Sequence, residues 1–375
     1  MRKAVEINPN HYNSCFLLST ILIEQEKLKE AEKFLRKTIE LKPDLFQACL
    51  NLGAVLKDLG QLNEAELFTL KAIEINPKDE MANFHLGNVL RDLGKLREAE
   101  NFYSKVNESN PKFGKFNAIL RAENLCSRGK IECSNKLLNE ILCSTKIEIK
   151  YMIYALINLC INAVIKGDFL NASYNISKIN SICIGLDGRE KSSILEGEIL
   201  GYYQFISNLL PQIKNTKLSK DAQITPHVGD SNSLTFSNQL VKTEKESLCI
   251  QPILIKGGKA WDFASSKSNK YKSSFIEQIY KYTNSSTILI SFGTLDCNIN
   301  SGILKYCKKY NKDFIETCKE TINGYLEYME NNLPGNFTTR IYFGVAAPSI
   351  NNSLGDKLYI SQKELIRNYN LILMK

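Results

Sequence analysis

"EMANFHLGNVLRDLGKLREAENFYSKVNESNP", residues 80–111, decides how the amino-terminal half folds. Set beneath "FQACLNLGAVLKDLGQLNEAELFTLKAIEINP", residues 46–77, it superposes Leu86 on Leu52, Gly87 on Gly53, Leu90 on Leu56, Gly94 on Gly60, Ala99 on Ala65 and Pro111 on Pro77. The step is 34 residues, and prolines at 9, 43, 77 and 111 keep it. A fixed period of that length marks stacked units, none of which can bury its apolar face alone. Within one unit Leu52, Val55, Leu56 and Leu59 recur three and four apart and so share a helical face. Gly53, Ala65, Gly87 and Ala99 are small where the two helices of a hairpin must approach closely. Gly60 and Gly94 supply the permissive backbone that ends a first helix, and Pro77 and Pro111 are expected to stop a second one.

These residues resemble the tetratricopeptide repeat. A looser copy spans about 12–43, with Ser19 at the glycine position and Leu18, Leu22, Ala31 and Pro43 in place. Two degenerate copies follow, 117–142 with Gly129 and 154–179 with Gly167 and Ala172, and an amphipathic helix over 192–213 is expected to cap the stack. The resemblance implies an α-solenoid over 1–213 whose concave groove binds a peptide or protein. Gln47, Leu50, Ala54 and Lys57 of one repeat and Phe84, Asn88 and Arg91 of the next would line it, although any one of them reads equally well as a solvated helix position. Residues 85–100 are also similar to the repeats of O-linked N-acetylglucosamine transferases, whose peptide-gripping asparagine falls at Asn88. Ala54 and Thr20 hold that place in the neighbouring repeats, so the ladder is not carried over, and no glycosyltransferase domain follows.

Length and composition bound the rest. A chain of 375 residues accommodates two cores, and 43% apolar with 23% charged residues is a globular balance. No apolar run is read as a membrane span, and Met1-Arg2-Lys3-Ala4-Val5-Glu6 lacks the apolar segment of a secretory signal, so a cytoplasmic protein is expected. Eleven cysteines without a C-x-x-C pair or flanking histidines predict buried thiols rather than disulfides or a metal site, and no cofactor is expected. The net charge of +8 is uneven, with 16 Lys and Arg against 17 Asp and Glu in residues 1–112 and 32 against 23 in the remainder. Because those lysines look interspersed rather than set in a stripe with aromatics, a solvated surface is expected instead of a nucleic-acid site.

After Asn215 the helical period stops. A polar linker over 214–223 precedes four short apolar runs, Ile224–Val228, Ile253–Ile255, Thr287–Phe292 and Thr339–Val345, each with the length and branching of a buried parallel strand. Helical patterns separate them, notably 311–331, so residues 224–375 are expected to form a three-layer α/β domain with a parallel sheet. Active groups of such folds gather at the carboxyl ends of strands. There "HVGDSNSLTFSN", 227–238, places Ser231 on a strand-to-helix turn ahead of a helix-like segment, 234–241, with a backbone amide suited to an oxyanion. "IKGGKAW", 255–261, and "SFGTLDC", 291–297, follow the second and third strands.

In order and spacing these three blocks resemble the SGNH (GDSL-like) hydrolases, whose fold is flavodoxin-like, over about 222–350. The resemblance implies Ser231 as nucleophile, Gly257 as an oxyanion donor, and Gly293 and Asp296 as the third block, and it is greatest to a variant branch of the family whose third block reads G-E-I-D-C where this chain has G-T-L-D-C. An acyl ester, such as one on a carbohydrate, would be the substrate. Leu295 stands where the family's third block has asparagine, and no D-x-x-H exists; Asp356-Lys357-Leu358-Tyr359 comes nearest. His227, two residues ahead of Gly229, reads as a residue packed at the sheet, and Trp261 as a core anchor. Both termini read as cut, so the family's acid and histidine are expected beyond residue 375. Two functions stay open: a peptide-binding scaffold carrying an SGNH-like domain, and a serine esterase with Ser231 as nucleophile.

Overall fold

The computed structural model describes every residue except 1, 109, 111–112, 145–146, 214–221, 243–246, 299–301, 346–355 and 375, and of 356–363 the backbone only. Two compact units divide between Asn124 and Leu125. That boundary falls within a helix, well ahead of the linker expected over 214–223, most of which lies outside the described residues.

The first unit consists of helical hairpins. After α1 (Arg2–Ile7) come α2 (Tyr12–Glu24) with α3 (Leu28–Leu41), α4 (Phe46–Asp58) with α5 (Leu62–Ile75), α6 (Glu80–Asp92) with α7 (Leu96–Tyr103), and most of α8 (Gly114–Ser127). The apolar stripe behaves as the spacing predicts: Leu52, Val55 and Leu56 are buried in one cluster with Ala65 and Ala72. A Cβ on Gly53 would lie 2.2 Å from Thr69 Oγ1, and one on Gly87 2.6 Å from the Tyr103 ring, so the helix crossing excludes any side chain there. Gly60 and Gly94 leave their helices at φ 77° and 83°, and Glu26 adopts φ 57° at the corresponding turn of the first hairpin. The third hairpin departs from expectation. α7 ends at Tyr103, well short of Pro111, which lies outside the described residues. Glu80 holds the chain beyond α7 instead, accepting from the Asn107 amide at 3.2 Å and from Asn110 Nδ2 at 2.5 Å.

The second unit begins with the last turn of α8, then α9 (Ile131–Leu142), α10 (Ile149–Lys166), α11 (Phe169–Ile184), α12 (Gly188–Ile194) and α13 (Gly197–Leu209). Among the described residues α10 alone is long and apolar enough to cross a membrane, with a mean hydropathy of 1.4 over 18 residues, which corrects the reading that no run qualifies. It is 67% buried, and its Ile157, Cys160, Ile161 and Val164 share a cluster with Ala172, Ile176 and Ile206. That is how a core helix packs. The single cap helix expected over 192–213 is interrupted between α12 and α13, where Gly197 takes φ 53°.

Among the described residues five strands complete this unit: β1 (Gln223–Gly229), β2 (Leu240–Lys242), β3 (Ser247–Leu254), β4 (Thr287–Ser291) and β5 (Thr339–Tyr342), in the order β2-β3-β1-β4-β5. β1 runs parallel to β3 and β4, with Val228 opposite both Ile253 and Ile290, and β4 runs parallel to β5. β2 is antiparallel to β3, so the sheet is mixed and not wholly parallel. The four strands expected from the apolar runs are β1, β3, β4 and β5. β2 lies in the segment expected to be helical, 234–241. A helix fails there because short polar side chains divert the backbone: Ser237 Oγ donates to Val164 O, and Asn238, at φ 52°, donates to Ile165 O.

Helices α14 (Ala260–Ala264), α15 (Lys270–Ile279), α16 (Ile303–Tyr310), α17 (Phe314–Asn332) and α18 (Asp356–Leu373) share one core with Val228, Ile253, Ile288 and Ile290, residues of a single sheet face. On the opposite face Leu248, Ile250 and Leu289 form a small cluster, and no described helix follows β1 to cover them. Leu254, at the end of that face, joins Leu234 in the cluster of α10–α13. Helices of the degenerate repeats thus pack against one end of the face that a third layer was expected to cover.

Candidate functional site

Two regions can be built upward from their residues: the wall formed by the first helices of the repeats, and the carboxyl edge of the sheet. On the wall, α4 and α6 of consecutive repeats are in contact. Gln47 is exposed and Ala54, Lys57 and Arg91 are half-exposed, Lys57 Nζ lying 3.2 Å from Asp58 and Arg91 3.4 Å from Asp92. Three of the expected groove residues are turned inward. Leu50 and Phe84 are each 8% exposed, Phe84 packing on Phe113 and Phe116. Asn88 is equally buried and accepts a 2.9 Å hydrogen bond from the Tyr103 hydroxyl, so its amide ties α6 to α7. His85 was missed. It is half-buried on α6, and burial, then the charge of Lys57, holds its imidazole below the ordinary value. Its position beside Phe84 in the first helix was the available signal.

At the sheet edge Ser231 is half-exposed at the start of a 3-10 turn, Ser231–Leu234, directly after β1. The amide that follows it is not open to an oxyanion: Asn232 N–H donates to Asp230 Oδ1 at 3.0 Å. Asp230 is 1% exposed, its Oδ2 has no hydrogen-bond partner among the described residues, and burial pushes its carboxyl up to about 7. Asn232 Nδ2 donates to Thr294 Oγ1 at 2.5 Å, which joins the first and third blocks.

The second and third blocks are structural partners. Asp296, 1% exposed, accepts the amides of Ala260 at 2.8 Å and Trp261 at 3.0 Å and so caps α14. Gly257 turns the chain at φ 74°, half-exposed, with Tyr271 Oη 3.6 Å from where a Cβ would stand. Gly293 takes φ 126°, and a Cβ there would sit 2.6 Å from the Tyr369 ring, so close packing of α18 requires glycine whatever the chemistry. Leu295 is half-buried.

Among the described residues no base meets the serine. His227, 1% exposed, pairs its Nε2 with Ser291 Oγ at 2.9 Å, its Nδ1 is without a partner among the described residues, and burial lowers it to about 4. It packs against Phe236 and Phe343, as expected of a sheet residue. The side chains of Asp356 and Tyr359 lie outside the described residues. Next to Asp296 opens a cleft of about 150 Å³ lined by Lys259, Trp261, Asp262, Gly302, Ile303 and Tyr306. Burial raises Asp262 to about 6, and its Oδ2 accepts from the Lys259 amide. Among the described residues no group of three His, Cys, Asp or Glu is placed to hold a metal. Cys133 and Cys143 are exposed thiols, while the other nine cysteines are buried or half-buried.

The family model of the tetratricopeptide repeat matches residues 12–45, 46–79 and 82–113. No curated protein matches the chain. Among solved structures it is similar to YrrB, described as a TPR protein with an unusual peptide-binding site, at 19% identity over 48% of this chain and 91% of that one, with a TM-score of 0.41. It is similar also to pilF of Pseudomonas aeruginosa, at 18% identity over 55% and 86%, TM-score 0.42. A third is MamA from residue 41 onward of Desulfovibrio magneticus RS-1, at 18% identity over 47% and 97%, TM-score 0.43. The hairpins of residues 12–113 are tetratricopeptide repeats.

Proposed function

We propose that the chain is a cytoplasmic scaffold that binds a protein or peptide along the first helices of its repeats, with a sheet region built on the SGNH plan. The observation that carries this reading is the contact between α4 and α6, which makes one wall of two repeats with Gln47 exposed, Lys57 partly exposed and the mostly buried Arg91 at its edge. Binding would combine main-chain hydrogen bonds from Gln47 with charge-assisted contacts from Lys57 and Arg91. The test is selection of peptides on the whole chain, followed by the double variant Lys57→Glu, Arg91→Glu. A selected peptide is expected to bind at least tenfold more weakly to the variant while the melting temperature is kept; unchanged affinity would place its site elsewhere.

One observation favours a second reading, a serine esterase. Ser231 is half-exposed at the carboxyl end of β1, in a sheet whose parallel strands run β3-β1-β4-β5, and Asn232 with Thr294 links its turn to the third block. Ser231 would be the nucleophile and Gly257 the oxyanion donor, and the reading requires an acid and a histidine to activate it, since an isolated serine hydroxyl is a weak nucleophile. A fluorophosphonate probe on the protein should label wild type and not Ser231→Ala. Equal labelling of both would remove this reading.

A further inference from the structure

The lysines that look interspersed in the sequence are gathered on one helix. In α16 and the residue pair after it, Lys305, Lys308, Lys309 and Lys312 are all exposed, and among the described residues none of them is held in an ion pair. Lys305 and Lys309 are four residues apart and form one row; Tyr306 and Tyr310, also four apart, form the row beside it. Ile303 and Cys307 are the buried side of the same helix; the lysine row lies away from them, and the tyrosine row flanks them, with Tyr306 half-buried against the core and Tyr310 exposed. The aromatic row extends beyond the helix. Trp261 of α14 lies 4.7 Å from Tyr306, ring centre to ring centre, and Tyr306 lies 4.8 Å from Tyr310. Tyr310 is 54% exposed, Lys309 stands 5.0 Å over its ring, and Trp261 and Tyr306 border the cleft next to Asp296.

Three acids nearby are engaged by backbone amides. Asp313 caps α17 through the Glu316 amide, Asp262 accepts from the Lys259 amide, and Asp296 accepts from Ala260 and Trp261. Lys308 and Lys309 also suit the negative end of the helix, but that explains neither Lys305 nor Lys312.

We infer that the Trp261–Tyr306–Tyr310 row and the lysines of α16 form a binding surface for single-stranded nucleic acid. Lysines neutralise backbone phosphates, and the exposed Tyr310 ring, with the half-buried Tyr306 and Trp261 rings bordering the cleft beside it, offers stacking faces suited to unpaired bases. Rings beside lysines favour a base-bearing polyanion over an acidic peptide, and an anionic polysaccharide is the alternative that heparin tests. The site stands apart from the repeat wall and does not depend on any chemistry at Ser231.

Trp261 is the only tryptophan of the chain, so its fluorescence reports the site directly. Titration of the whole protein with oligo-dT should quench Trp261 saturably, with affinity falling steeply as salt rises. The triple variant Lys305→Gln, Lys308→Gln, Lys309→Gln should bind at least tenfold more weakly, and the corresponding triple Arg variant should bind like wild type. Tyr310→Ala should lose about tenfold as well, stacking being worth roughly 1–3 kcal/mol per base. Absence of quenching by oligo-dT, unchanged affinity in the Gln triple, or heparin binding as tightly as oligo-dT with the same quenching would each overturn the inference.

Discussion

Asp230 is 1% exposed, its Oδ2 without a hydrogen-bond partner among the described residues, and His227, three residues earlier, is buried as deeply. Their titrations oppose each other. Burial raises Asp230 to about 7, so the stability gained from holding it protonated is full below its ordinary value of 3.8 and is lost as pH climbs towards 7. Burial lowers His227 to about 4, so the stability gained from holding it neutral is full above 6.5 and is lost as pH falls towards 4. Each effect is on the order of 3 kcal/mol across its window, and wild type should show a shallow net slope. Asp230→Asn should lose stability on acidification from 6.5 to 4 more steeply than wild type, and His227→Gln should gain it; urea midpoints over that range decide. Parallel slopes in all three proteins would refute the burial argument. At Tyr103, substitution by Phe leaves Asn88 Oδ1 buried without its donor and should cost about 1–3 kcal/mol by chemical denaturation. The triplet Gly229-Asp230-Ser231 was legible in the sequence, but its environment was not. That the Asn232 amide turns back onto Asp230 is a local bond no motif records, and that Asp296 caps a neighbouring helix and Asn232 reaches Thr294 depends on contacts between blocks about 35 to 60 residues apart.

Elements with a strong period were legible to within a few residues, since the glycine and leucine positions of the repeats record helix crossings. Gly87→Ala tests the crossing: its Cβ would meet the Tyr103 ring at 2.6 Å, and a loss of about 1–3 kcal/mol is expected. Gly60→Ala has open space around it and only its left-handed φ of 77° to resist, so about 1 kcal/mol should suffice. Thermal melts of the two variants should rank in that order, and the reverse order would show that backbone conformation outweighs packing at these turns. Elements set by distant partners were not legible. β2 has three residues and exists by pairing with β3, and α7 stops early where Glu80 takes over the chain beyond it. Neither leaves a periodic trace. The lysine and tyrosine rows of α16 were in plain view, yet Trp261 could be added to them only once α14 and α16 were folded together.

For the molecule as a whole, the sequence placed a domain boundary near 214, whereas compactness places it between Asn124 and Leu125. The reason lies in what the sheet region packs against. Leu234 and Leu254 belong to the cluster of α10–α13, and Arg128 pairs with Glu277 at 3.2 Å. A fragment of residues 125–375 should therefore unfold cooperatively, and one of 222–375 should lack a sharp transition and bind a hydrophobic dye; a cooperative melt for the shorter fragment would contradict this. The same contacts fix the helix ends. Ser274 Oγ and Gln278 Nε2 donate to Ser127 O at the close of α8, and Ser237 Oγ, Asn238 Nδ2 and Gln251 Nε2 donate to Val164 O and Ile165 O at the close of α10. These donors form two fastenings 37 residues apart along the chain, each sealing carbonyls that a helix leaves unsatisfied. An extra 34-residue module spliced in near Pro43 would leave both undisturbed, while one spliced between Ser127 and Val164 would tear one of them open, so the array can be lengthened by evolution or by design only on its amino-terminal side.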